Sequence, residues 1–273
     1  AELNAIKDIS NQFARTSKFS ILVFYRTGAA QKAAADLAAR EALPFPGGTS
    51  RAGLASPTRM PFVVASGWRL MRNPAGRFVY TLPAGKGALG MAEAFVYGGD
   101  AILRIDPADL PATGAMAGFL AGLPPSDLPP VADIAVIDDG SPITGEVMNL
   151  LARRNLLFQV VKTPPPGVPV AIRLGSPEYP VASAADPSAF ALRVRRQLTD
   201  ERRSLRIFGS EVVLGRLAAG GGRARLHLLN YGGREILGLR VRLRGRYRTA
   251  TAHVAGVGVV PVEDQAAQED ATE

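Results

Sequence analysis

The sequence predicts an α/β protein with an all-β ending: two α/β units followed by a small C-terminal antiparallel β-sandwich. Three observations predict it. Over roughly the first two hundred residues, continuous apolar runs of strand length, such as 19–25 (FSILVFY) and 133–137 (DIAVI), alternate with helix-forming stretches. That is the pattern of strands buried on both faces of a parallel sheet. A proline-rich segment at 123–130 (LPPSDLPP) divides this part in two. After residue 205 only short strand-like runs remain, separated by glycine turns at Gly220–Gly222 and Gly232–Gly233.

The first unit is expected over 1–125. Residues 1–43 read as helix, strand, helix, the last from the Ala-rich stretch 31–43. A long Gly/Pro/Ser/Thr-rich loop follows at 44–61, and loops of that length in a compact domain are often functional. Strands are expected at 62–65, 78–82 and 101–105, a helix at 86–98, and Asp106 at the carboxyl end of the last strand. The second unit is expected over 131–208. There the strand 133–137 exits through Asp138-Asp139-Gly140 into a helix with Ser141 as N-cap and Pro142 at its first position. Strands at 157–161 and 171–174 and a helix at 188–198 complete it. The β module spans 209–262, with strands at 211–217, 223–229, 236–243, 246–253 and 257–262, and an acidic tail over 263–273 is expected to be disordered.

Charge is concentrated in that module. Between Arg193 and Arg248 lie fifteen of the 27 arginines and only four acidic residues, whereas the last eleven residues carry five acids and no base. Arg240, Arg242, Arg244, Arg246 and Arg248 alternate with other residues, so on one extended strand they would share a face, with Leu239, Val241 and Leu243 on the buried side. Such a stripe grips a polyanion or an acidic protein surface, or is a solvated face that the acidic tail neutralises. Only Tyr231 and Tyr247 lie nearby as aromatics, too few for base stacking along a single strand, so nucleic acid is not the expected partner.

Composition excludes several chemistries. The chain has no cysteine, which removes disulfides, thiolate metal sites, Cys nucleophiles and iron–sulfur clusters. With only His227 and His253, a multi-histidine metal site is not expected, and no metal or cofactor is assigned. No apolar run approaches the roughly 20 residues of a membrane span. Ala1 at the start fits a mature protein whose signal peptide has been removed, or a trimmed chain; a periplasmic or secreted location is expected, with the cytoplasm as alternative.

Two motifs carry candidate chemistry. Gly85-x-Gly87-x-x-Gly90 follows a strand and opens a helix, with Asp106 downstream, which is formally the dinucleotide fingerprint. Pro83-Ala84 separates strand from first glycine, so a glycine-tolerant βα loop competes with it. Asp138 and Asp139 end a strand where open α/β sheets bind ligands, and with Asp106 they are the possible ligand-binding acids; solvated turn acids are the competing reading. No nucleophile elbow occurs, Glu93 sits mid-helix without an evident carboxylate partner, and His227 reads as a solvated strand histidine beside Arg223 and Arg225.

The segment 223–243 (RARLHLLNYGGREILGLRVRL) resembles the C-terminal β-domain of many secreted glycoside hydrolases. Residues 133–161 (DIAVIDDGSPITGEVMNLLARRNLLFQVV) resemble the opening of the amidotransferase-like, Rossmann-like α/β domain found in multidomain β-galactosidases as an oligomerisation module. Residues 77–106 are similar to the last strand–helix–strand of the barrel in such enzymes. A (β/α)₈ barrel needs about 200 residues or more, and only about 125 precede the hinge. The resemblance therefore implies a relative that keeps the domain order, with a barrel remnant, without the catalytic half. The expectation is a non-catalytic accessory protein that docks on a protein partner or carbohydrate through Arg240–Arg248. The alternatives are a glycoside-hydrolase-like hydrolase with an incomplete barrel, and a nucleotide-binding enzyme using Gly85–Gly90.

Overall fold

The computed structural model describes residues 21–24, 41–49 and 62–263 of the chain. The helices expected before residue 19 and over 31–40, most of the loop 50–61 and nearly all of the acidic tail lie outside the described residues. The fold is mixed α/β with small open sheets.

The first sheet has four strands in the order β1 (Ile21–Phe24), β6 (Asp100–Arg104), β5 (Arg77–Thr81), β2 (Glu41–Leu43), all parallel. Glu41–Leu43 is thus strand, not the end of the expected helix, because its backbone pairs with Phe78–Tyr80 and Leu43 enters the core. The central strands are buried along their middles, as a covered parallel sheet requires. Helix α2 (Gly87–Tyr97) crosses from β5 to β6, and α3 (Leu110–Gly122) packs beside it. Neither parallel sheet closes, so the unit expected as a barrel remnant is an open sheet. Within the expected loop, β3 (Gly47–Thr49) pairs antiparallel with β4 (Phe62–Val64), which leads into the short α1 (Gly67–Arg72).

The second unit is a parallel sheet in the order β8 (Phe158–Val161), β7 (Ile134–Ile137), β9 (Val170–Ile172), with α4 (Pro142–Arg153) and α5 (Pro187–Leu198) packed against each other. Each helix begins as its sequence dictates, with Ser141 and Asp186 accepting from first-turn N–H groups and proline at the first position. Val147, Met148 and Leu151 meet Phe190, Ala191, Val194 and Leu198 in one core, and Trp68 of α1 inserts into it from the first unit. Gly145 permits that approach, since a Cβ there would lie 3.0 Å from the Trp68 ring.

After residue 205 the described chain contains only strands: β10 (Leu205–Phe208), β11 (Val213–Gly220), β12 (Arg223–Asn230), β13 (Arg240–Leu243), β14 (Ala252–Val254) and β15 (Gly258–Val260). They form three two-stranded antiparallel ladders, β10–β13, β11–β12 and β14–β15. Gly221 and Gly222, with φ of 56° and 73°, close β11–β12 in the two-residue turn that needs positive φ twice. One face of this hairpin, through Leu214 and Leu229, covers Ala92 and Val96 of α2. The other, through Leu217 and Leu226, meets Leu205, Ile207 and Leu243 of β10–β13. The proline-rich hinge is laid along this hairpin's edge, with the Pro129 carbonyl accepting from Ala219 N–H and Val131 N–H donating to Leu217. An edge position suits prolines, which lack the donor an inner strand would need.

The arginine stripe does not ride on a single strand. β13 ends at Leu243, and Gly245, at φ 123°, turns the chain before Arg246 and Arg248, so only Arg240 and Arg242 share a strand face. Leu243 is packed, but Val241 is 38% exposed, because β13 is an edge strand paired only with β10.

Candidate functional site

The residues with the most unbalanced charge meet at the end of α5. Its inward stripe, Phe190, Ala191, Val194 and Leu198, fixes the rotation of the helix and leaves Arg193, Arg195 and Arg196 outside the core. The helix stops at Thr199, whose φ of 60° and ψ of 160° belong to a region that is essentially glycine-only. A β-branched residue there stores roughly 1–3 kcal/mol of strain. The turn that follows is held from beneath. Asp133, 4% exposed, accepts from Ser204 N–H at 2.9 Å and its hydroxyl at 2.6 Å. The buried Arg203 donates to the carbonyls of Arg154 and Asn155 at 3.2 and 3.3 Å.

On this fixed turn stands Asp200. Its carboxylate receives Arg203 at 3.1 Å, Arg206 at 3.1 Å and, more loosely, Arg195 at 3.4 Å. Burial alone would raise the Asp200 pKa, but hydrogen bonds from Arg203 and Arg195 and the charges of Arg195 and Arg206 outweigh it and hold it below the usual carboxylate range. Arg203 moves down from the ordinary arginine value, first through burial and then through repulsion from Arg195 and Arg206, against the pull of Asp200. An open depression of about 290 Å³ lies here, lined by Leu192, Arg195, Arg196, Thr199 and Asp200.

The adjoining face of β10–β13 adds to the surplus. The register sets Arg206 directly opposite Arg242 and Phe208 opposite Arg240. Arg206 lies over the Phe208 ring, 4.8 Å from its centre. Arg240, Arg242, Arg244, Arg246 and Arg248 are all exposed. The density of arginine from 193 to 206 was visible in the sequence; the convergence of three of them on Asp200 was not, because they sit on a helix, a turn and a strand.

The possible ligand-binding acids do not converge. Asp138 is held by Arg72 of α1 in a two-pronged pair, 2.7 and 2.8 Å, and also accepts from Gly140 N–H. Asp139 closes the turn by accepting from Ser141 N–H at 2.9 Å, and Asp106 accepts from Ala108 N–H at 2.9 Å to cap a 3-10 turn. No group of three or more His, Asp or Glu residues able to hold a metal ion occurs among the described residues.

The glycine loop is filled by the chain itself. The buried Asp109 accepts from the N–H groups of Gly85, Lys86 and Gly87 at 2.7, 3.1 and 3.1 Å, so a carboxylate occupies the positive end of α2 where a pyrophosphate would have to sit. Its glycines have packing reasons. Gly85 has φ 80°; a Cβ on Gly87 would lie 2.3 Å from the Thr113 hydroxyl, and one on Gly90 would lie 2.6 Å from Leu82.

Glu93 and His227 both face inward, the second against the expectation of a solvated strand histidine. Glu93, fully buried, accepts from Ser66 N–H and Tyr231 hydroxyl at 2.7 Å and from Tyr80 hydroxyl at 2.6 Å. Burial raises its pKa despite these donors. Three segments converge there, which no local pattern in the sequence indicates. His227 is not solvated. Its strand face turns toward α2, the ring meets Phe95 edge-on at 6.1 Å, and Nε2 is buried without a hydrogen-bond partner. Burial, then Arg225 and Arg216, pushes its pKa down to about 4. No protein-family model matches the chain, and neither does any curated protein or solved structure.

Proposed function

We propose that the chain is a non-catalytic binding protein that docks on a partner presenting carboxylates through the exposed face of β10–β13. The observation that carries this reading is the register of Arg206 against Arg242, with Arg240 on the same face and Asp200 ion-paired to Arg206. Like charges directly opposite on a ladder are destabilising. Acids from outside remove that cost, and arginine beside an exposed aromatic such as Phe208, 36% exposed, is the composition of an interface centre. The polar groups a hydrolase would need are otherwise engaged: Asp106, Asp138 and Asp139 fasten turns, and Glu93 is sealed in the core. That the chain is an accessory relative of multidomain glycoside hydrolases, located outside the cytoplasm, belongs to the same proposal and rests on residues 77–106, 133–161 and 223–243.

The test uses poly-L-glutamate as the acidic surface. The chain should bind it at physiological salt, and Arg242→Glu combined with Arg244→Glu should abolish binding while leaving the thermal unfolding curve in place. Association that survives this double reversal would make the stripe an ordinary solvated face.

A further inference from the structure

We propose that the depression at the end of α5 is a site for a phosphate group, which adjoins the carboxylate-docking face and shares Arg206 with it. Four guanidinium-bearing residues, Arg195, Arg196, Arg203 and Arg206, line it or pair with its Asp200, and two carboxylates stand among them, Asp200 and the neighbouring exposed Glu201, which feels the charge of Arg206. Arg203 is held in place: it is 8% exposed, two backbone carbonyls accept from its Nη2, and its Nε is buried without a partner among the described residues. Arg195 and Arg206 each spend one weak or moderate contact on Asp200 and keep further donors of their five. Arg195 is the loosest, at 3.4 Å with 42% of its side chain exposed, so it is able to swing onto a second anion without breaking the fold.

The charge arithmetic favours phosphate over a second carboxylate. Asp200 and Glu201 leave two of these four cations in surplus, and a phosphate carries close to two negative charges at neutral pH and three acceptor oxygens for planar guanidinium forks. The C-terminal carbonyls of α5 oppose an anion, but Arg195 and Arg196 already sit in that last turn and screen them. The strained Thr199 backbone supplies an independent pointer. It lines the 290 Å³ space directly before Asp200, and strain of this kind gathers at ligand clamps.

The phosphate has two sources, a free anion or a phosphorylated side chain of a partner, and the experiment separates them. Inorganic phosphate, a phosphoserine peptide and acetate are titrated into the full chain by calorimetry at constant ionic strength. Phosphate and the peptide should bind saturably at one site while acetate does not. Arg195→Gln with Arg196→Gln should weaken phosphate at least tenfold. Arg242→Glu with Arg244→Glu, which tests the docking face, should leave phosphate within twofold. Tighter binding of the peptide assigns the site to a partner's phosphorylated residue, and equal binding assigns it to the free anion. Absence of saturation, equal binding of acetate, or an Arg195/Arg196 double variant that still binds like the parent would overturn the proposal. Each leaves the poly-L-glutamate result untouched.

Discussion

Asp109 and Asp200 each gather three donors, yet they end in opposite states. Asp109 takes three backbone N–H groups from one glycine loop, is 7% exposed, and closes the helix end it serves. Asp200 is shared by three guanidinium groups from a helix, a turn and a strand, and remains beside an open depression. Backbone amides carry partial charge, so one carboxylate over-satisfies them and nothing further is wanted. Three full cations share one carboxylate, and the exposed Glu201 beside it offsets only part of the surplus. A glycine motif that looks ready for a phosphate is therefore occupied, while an unpatterned run of arginines is where positive charge is left over.

The largest effect expected from this contrast is on Asp109. Asp109→Ala strands the buried N–H of Gly87 and the part-buried N–H groups of Gly85 and Lys86 and should cost about 2 kcal/mol in urea unfolding. Because these donors are backbone amides rather than full charges, the loss should change little between low and high salt. A loss below about 0.5 kcal/mol would mean that water replaces the carboxylate and that the loop is more open than its geometry states.

His227 tests the closed interior by pH. Its folded pKa, about 4, lies below the ordinary histidine value of about 6.5. The unfolded chain therefore binds the proton first, and stability contributed by keeping the ring neutral is present above pH 6.5 and is lost as pH falls toward 4. The loss should be on the order of 2 kcal/mol, and His227→Phe should flatten that part of the stability–pH curve. A curve unchanged by the substitution would place the ring in water.

The smallest effect is expected at Asp200. Asp200→Asn removes the carboxylate that Arg195, Arg203 and Arg206 share and should lower stability by about 1 kcal/mol at low salt, fading as salt screens the arginines. Inorganic phosphate should restore part of that loss. A salt-independent loss as large as that of Asp109→Ala would erase the distinction between the two carboxylates.

The sequence by itself determined what is decided within a few residues. Ser141-Pro142 announces a helix start, Gly221-Gly222 a tight hairpin, and the runs at 101–105 and 133–137 buried strands; each is found. The switch to strands alone after residue 205 was equally legible, since alternation and glycine turns are local signals. Alternation makes the arginine stripe look like one strand, because it continues through Gly245 while the backbone turns there. What tertiary structure alone decided lies at long separation. Glu93 finds Tyr231 across 138 residues, and Arg72 finds Asp138 across 66. His227 is half-buried, with its Nε2 fully so, because its strand face covers α2, and Asp200 is crowded because α5 ends where β10 begins its ladder with β13. A strand's alternation says that its two faces differ. Which face meets the core depends on the neighbour it packs against, and no residue near it in sequence encodes that choice.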